Sequence, residues 1–128
     1  MVLSTCVSGL GRYVYREIVG LRSAFKVAGA HSVIMSLWHV DDFASAVFMH
    51  IFYSYLPEHG IIKALTYTKL YVRELTIGTL TENGWFSDRI MEKTEDQRRR
   101  ITKLSKNDIG SKPFHNEYYW AGFVCQIN

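Results

Sequence analysis

Cysteine is scarce in this chain: the two among its 128 residues, Cys6 and Cys125, are too few for a disulfide framework. No apolar run is long enough to cross a bilayer, and no basic leader followed by an apolar stretch gives the pattern of a signal peptide. Internal repeats and low-complexity tracts are missing as well. These absences lead us to expect a reducing, cytoplasmic setting and no membrane partner. Charge of one sign is also in short supply, with fifteen Lys and Arg against twelve Asp and Glu for a net +3. From Asp88 to Lys112 there are eight basic and five acidic residues, which leaves seven of each elsewhere, so the excess sits in one segment. Its centre is Arg98, Arg99 and Arg100. Such a run is most often a solvated helix face, and no aromatic stands between the arginines to stack a base, so nucleic acid is not an expected partner.

What is present is the composition of one ordinary globular domain, 48% apolar and 14% aromatic, long enough to bury a core. The stretch from Met1 to Gly11 organises it. Met1, Val2 and Leu3 open directly into an apolar strand that runs to Ser4, Thr5 and Cys6. A buried parallel strand needs a neighbour on each side, so we expect one upstream in a longer parent chain. Cys6 stands at the strand's end, before a short glycine-containing turn from Val7 to Gly11. A thiol at that point meets the positive end of a helix dipole and free amide protons, which favour the thiolate. That is one way to make a nucleophile from cysteine. Taken alone, a cysteine on an apolar strand is more often inert packing.

After Gly11, the spacing of Ile18, Leu21, Phe25 and Ala28 predicts a helix, with Gly29 as its left-handed stop and Gly20 allowing close approach to a sheet. Ser32 to Trp38 reads as a buried strand. Strand, helix, strand in this order is a right-handed unit with a parallel pair. Both strands then end at one edge, where open α/β sheets take their ligands, and the candidate site is Cys6, Ser36, His39, Asp41 and Asp42 with the Val7 to Gly11 turn. Asp41 or Asp42 is expected to cap a second helix with a stripe of Ala44, Val47, Phe48, Ile51, Phe52 and Tyr55, broken at Pro57 and Gly60. A third helix follows from about Ile61, with Ala64, Leu65, Thr68, Val72 and Leu75 as its stripe. Both stripes read as core. The polar, weakly periodic stretch from Gly78 to Pro113 reads as a mobile inserted loop with some helix. From Tyr118 to Ile127 the composition returns to strand, which would put Cys125 in the sheet interior.

Four pieces in this order resemble the C-terminal half of a CHAT domain, the caspase-like module found beside tetratricopeptide repeats. VLSTCVSGLG at Val2 to Gly11 is similar to the family's VLSAC followed by a Gly-rich turn. GLRSAFKVAGAHSVIMSLWHVDD, from Gly20 to Asp42, is close to the family's pattern ending in SLWxVDD. The helix Phe43 to Leu56 with the Ala64 to Val72 segment is the third piece, and YYWAGFV, Tyr118 to Val124, is the fourth. Each is weak alone, but SLWxVDD and YYWAGFV at this separation with the cysteine motif upstream are specific.

The resemblance implies an α/β fold, a caspase-like three-layer sandwich with a mostly parallel sheet flanked by helices. Residues 1–128 would form one partial domain of about three strands and three main helices, carrying a charged insertion at about 78–113. It implies a cysteine endopeptidase with Cys6 as nucleophile, a peptide or protein substrate, a tetratricopeptide-repeat region in the parent chain and no cofactor. The family's base histidine belongs to an earlier strand ending in His-Gly, and no strand motif of that kind occurs among these 128 residues. Peptide hydrolysis needs a thiolate, a general acid for the leaving amine and amide protons aimed at the oxyanion. The backbone amide of Cys6 can supply one such proton, and the remaining groups are expected from upstream residues.

Of the five histidines, His39 alone follows a strand end beside Cys6, which makes it the substitute base within the chain, although a histidine there is more often a loop residue. His31 lies at the opposite edge, and His50, His59 and His115 have no reason to approach. No metal-ligand spacing is present. For Asp41 and Asp42 the plain expectation is helix capping. The sharper one is a carboxylate that favours a basic side chain before the scissile bond. The competing function is a non-catalytic or degenerate module that docks to a repeat scaffold, and the exposed edge at Met1 to Thr5 would invite a homodimer.

Overall fold

The computed structural model describes residues 4–6, 24, 27–29, 32–87 and 93–127. The chain divides into two units, Met1–Val40 with Ala121–Asn128, and Asp41–Trp120. Mixed strand and helix make it a partial α/β fold.

The first unit holds a three-stranded sheet of β1 (Ser4–Cys6), β2 (Ser32–Ser36) and β3 (Phe123–Ile127), in that spatial order. Val33, Ile34, Met35 and Ser36 are buried in succession. Consecutive buried residues mean that both faces of β2 are covered, as befits a central strand. The pairing of β1 with β2 is parallel, as expected, with Ser4 opposite Ile34 and Cys6 opposite Ser36. β3 differs, because it runs antiparallel to β2, with Phe123 opposite Ser36. A mostly parallel sheet is therefore not what the described strands form: one of their two pairings is antiparallel. The cause is connectivity. The chain leaves β2 at Leu37 and re-enters at Gly122, whose carbonyl accepts the Leu37 N–H at 2.9 Å, so it returns beside the point of departure.

Gly122 also brings two of the family-like pieces together, since it lies in one and meets Trp38 of the other. A Cβ on Gly122 would lie 2.8 Å from Cε2 of Trp38, so the indole rests directly on the glycine backbone. Cys125, expected in the sheet interior, is half-buried on β3, an end strand of the described sheet. Of the expected first helix, Ala24 and Val27 are helical, the Ala28 N–H reaches the Ala24 carbonyl at 3.0 Å, and Gly29 has φ 89°. Ala28 is exposed rather than on a buried stripe, and Ile18, Leu21 and Phe25 fall outside the described residues.

In the second unit, α1 (Asp42–Glu74) has a non-helical residue at Gly60 (φ 75°, ψ 171°), which divides it into arms 42–59 and 61–74. The first arm buries Phe43, Ala44, Val47, Phe48, Ile51 and Phe52, and the second Ala64, Leu65, Thr68 and Val72. Both stripes are those the spacing predicts, though Tyr55 is only half-buried. Pro57 lies inside the first arm, so the break belongs to Gly60. Then come α2 (Ile77–Glu82) and α3 (Glu95–Leu104). Thr94 and Gln97 form a reciprocal capping box at the start of α3, with Glu95 and Asp96 in its first turn to complement the dipole. The charged segment adds Leu80, Trp85, Ile101 and Leu104 to the buried set. Phe43 stands 6.1 Å, centroid to centroid, from each of Trp85, Phe86 and Phe114. Tyr118 and Tyr119, expected as the start of the last strand, instead belong to a 3-10 turn, Glu117–Tyr119, capped by Asn116, whose side chain takes the Tyr118 N–H at 2.9 Å. No described helix is long and apolar enough to cross a membrane.

Candidate catalytic site

Cys6 is the last residue of β1 and the register partner of Ser36, the last residue of β2. Two parallel strands ending together place both residues on the carboxyl edge of the pair, where α/β sheets leave a crevice for ligands. The turn from Val7 to Gly11 lies outside the described residues.

Ser36 is 0% exposed, and its hydroxyl donates to the carbonyl of Trp38. That bond closes the turn at the end of β2, so the hydroxyl is committed to the backbone. His39, three residues beyond Ser36 and in the same unit as Cys6, is exposed.

Asp41 and Asp42 begin the second unit. Asp41 caps α1, its Oδ1 accepting the Ala44 N–H at 2.7 Å, while Oδ2 lies 3.3 Å from Nε of Arg100. Both oxygens of Asp41 are therefore engaged. Asp42, in the first turn of α1, is exposed and makes no hydrogen bond or ion pair among the described residues.

Arg100, expected on a solvated helix face with Arg98 and Arg99, is instead half-buried. It joins Asp41 to Tyr119, donating from Nη2 to the phenol oxygen at 2.8 Å, whereas Arg99 stays exposed and pairs with Asp96 on its own helix. The signal was there in the spacing. Gln97, Ile101 and Leu104 are the buried face of α3, and Arg100 sits three residues after Gln97 on that side. A three-arginine run thus has one member tied into the fold.

Of the other histidines, His50 meets Trp85 edge to face, with centroids 5.2 Å apart. His59 is packed against Tyr55 and Tyr67, and His115 lies 3.4 Å from the Arg73 carbonyl. His59 and Gly60 form a His-Gly pair, but at the break in α1 rather than after a strand. Burial pushes the Cys125 thiol up from its ordinary range, away from the thiolate that nucleophilic chemistry needs. No group of three or more His, Cys, Asp or Glu is arranged for a metal ion among the described residues.

The sequence also gave no sign of a cleft of about 450 Å³ in the second unit. Its walls come from both arms of α1 and the turn after α2, which helical spacing alone does not bring together.

Comparison with known proteins adds two matches. A family profile described as CHAT domain matches residues 1–128. Tetratricopeptide repeat protein 28 of Mus musculus is 43% identical over 56 residues, 44% of this chain and 2% of that protein, so the match spans a small fraction of the curated relative. No solved structure matches the chain.

Proposed function

The chain belongs to the CHAT domain family, and on that premise we propose that it is the nucleophile-bearing half of a caspase-like cysteine endopeptidase, acting in a reducing cytoplasm. The observation that supports this best is the register of Cys6 with Ser36 at the carboxyl edge of a parallel strand pair. On this proposal the sheet and helices are part of a three-layer sandwich, and the open side of β1 takes the parent chain's preceding strand. A second copy of the chain is the alternative partner for that side.

The thiolate of Cys6 attacks the scissile carbonyl carbon, and the Cys6 backbone N–H donates to the oxyanion that forms. The leaving amine takes a proton from a general acid, and water then releases the acyl group from sulfur. An upstream strand ending in His-Gly supplies that acid and a second oxyanion donor, with His39 the substitute inside this chain. Any preference for a basic side chain rests on Asp42, since Asp41 is held by Ala44 and Arg100.

The decisive variant is Cys6→Ala in the parent chain. Cleavage of a peptide library is expected to fall to background while near-ultraviolet circular dichroism is unchanged. Retained cleavage would remove Cys6 from the mechanism. A second function, docking to a repeat scaffold without catalysis, is favoured by the mouse relative's being a tetratricopeptide repeat protein. It would prevail if the unaltered parent chain cleaves nothing, resists a thiol-directed peptidyl ketone at Cys6, and still binds its own repeat region.

A further inference from the structure

The cleft of about 450 Å³ is built wholly from the Asp41–Trp120 unit. Its walls are His50, Ile51, Ser54 and Tyr55 from the first arm of α1, Tyr71 and Leu75 from the second, and Asn83 and Trp85 from the turn after α2. Three kinds of observation bear on what it could hold. The size lies within the range of small-ligand sites, which are mostly apolar with a few convergent polar groups. Tyr55, Tyr71 and Trp85 give it aromatic surface, and Trp85, 3% exposed, is the innermost of the three. Most of the polar ends face solvent, His50, Ser54, Tyr71 and Asn83 being exposed. The Ser54 hydroxyl donates to the Ile51 carbonyl, but the ring nitrogens of His50, the amide of Asn83 and the phenols of Tyr55 and Tyr71 make no hydrogen bond among the described residues.

Charge narrows the ligand further. No Asp, Glu, Lys or Arg lines the cleft among the described residues. Within that lining a phosphate or carboxylate meets no cation, and an ammonium no carboxylate, so neither charge is compensated by the described residues. His50 is held edge to face against Trp85 at 90°. That contact sets the tilt of a ring that is otherwise exposed to solvent.

We infer that this cleft is a binding site for a neutral planar ring with hydrogen-bonding groups at its rim, stacked against Tyr55 and Tyr71 above the buried Trp85 and bonded by His50 and Asn83. That chemistry has two sources, an aromatic side chain of another polypeptide segment or a free heterocycle. Neither depends on Cys6.

Saturation-transfer nuclear magnetic resonance on the full chain tests the site with two probes at millimolar concentration, N-acetyltryptophanamide for the side-chain source and adenosine for the free heterocycle. Transfer to at least one is expected, and the tighter probe identifies the source. His50→Ala and Asn83→Ala are each expected to weaken that probe at least fivefold with the fold intact by near-ultraviolet circular dichroism. Adenosine monophosphate should bind no tighter than adenosine. No transfer to either probe from the folded chain, unchanged affinity in both variants, or tighter binding of the monophosphate would overturn the inference.

Discussion

At the scale of single residues, the contact between Trp38 and Gly122 ties together pieces of sequence far apart along the chain. The Leu37 N–H bonds the Gly122 carbonyl at 2.9 Å, and the neighbouring indole covers the glycine so closely that a methyl group would sit 2.8 Å from Cε2 and 3.0 Å from Cδ2. Those are rigid ring atoms, unable to swing aside as the end of a flexible chain could. Gly122→Ala should therefore cost about 1 to 3 kcal/mol, the usual range for overpacking a filled site. Urea unfolding of the single variant and of Gly122→Ala with Trp38→Ala separates this from a backbone effect. If the clash is the cause, the second substitution relieves it and the two changes are non-additive. Simple additivity would mean that the indole and the glycine do not share one space. The same pair shows what was legible: SLW and WAGF were recognisable as motifs, but that one's tryptophan rests on the other's glycine needs a register, and composition contains none.

At the scale of elements, the long helix α1 shows where periodicity succeeds and where it stops. Apolar residues at 44, 47, 48, 51 and 52, then 64, 65 and 72 with Thr68 between them, mark the faces that are buried, because a spacing of three and four is enough to define one side of a helix. The position of the break was narrowed by geometry. Gly60, at φ 75° and ψ 171°, occupies a region that is essentially closed to residues with a Cβ, while Pro57 is accommodated within the first arm. Nothing lies within 4 Å of a Cβ built on Gly60, so space is not what demands glycine. Gly60→Ala is accordingly expected to destabilise by about 1 to 3 kcal/mol through backbone strain. Thermal and urea unfolding would read this loss, and an unchanged midpoint would mean that the two arms join equally well without a left-handed residue. The segment beyond was less readable for a physical reason. α2 buries two residues, Ile77 and Leu80, and α3 three, Gln97, Ile101 and Leu104, too few turns for a period to rise above the charged background. The local signals there are caps, Thr76 before α2 and the Thr94 to Gln97 box before α3.

At the scale of the whole chain, the antiparallel return of β3 is the feature that local patterns could not reveal, since a strand's direction depends on where the intervening residues bring the chain back. Residues after Leu104 are held at several points within their own units. The Ile109 carbonyl accepts the Gly78 N–H, and the Ser111 carbonyl accepts the Ile77 N–H, each at 2.9 Å. Lys112 pairs with Glu74, whose carboxyl is kept below its usual range by hydrogen bonds from Lys112 and then Arg73. Tyr119 accepts from Arg100, and β3 pairs with all five residues of β2. Lys106 and Asn107, by contrast, are exposed in the turn after α3. Exposed loop tips tolerate insertion and cleavage where the backbone on either side is tied down. A specific protease site inserted between Lys106 and Asn107 should therefore be cut without releasing the C-terminal piece. Gel filtration is expected to show one species of unchanged size, with the two pieces separating only in denaturant. Separation under native conditions would show that covalent continuity, rather than this set of backbone and side-chain contacts, keeps β3 beside β2.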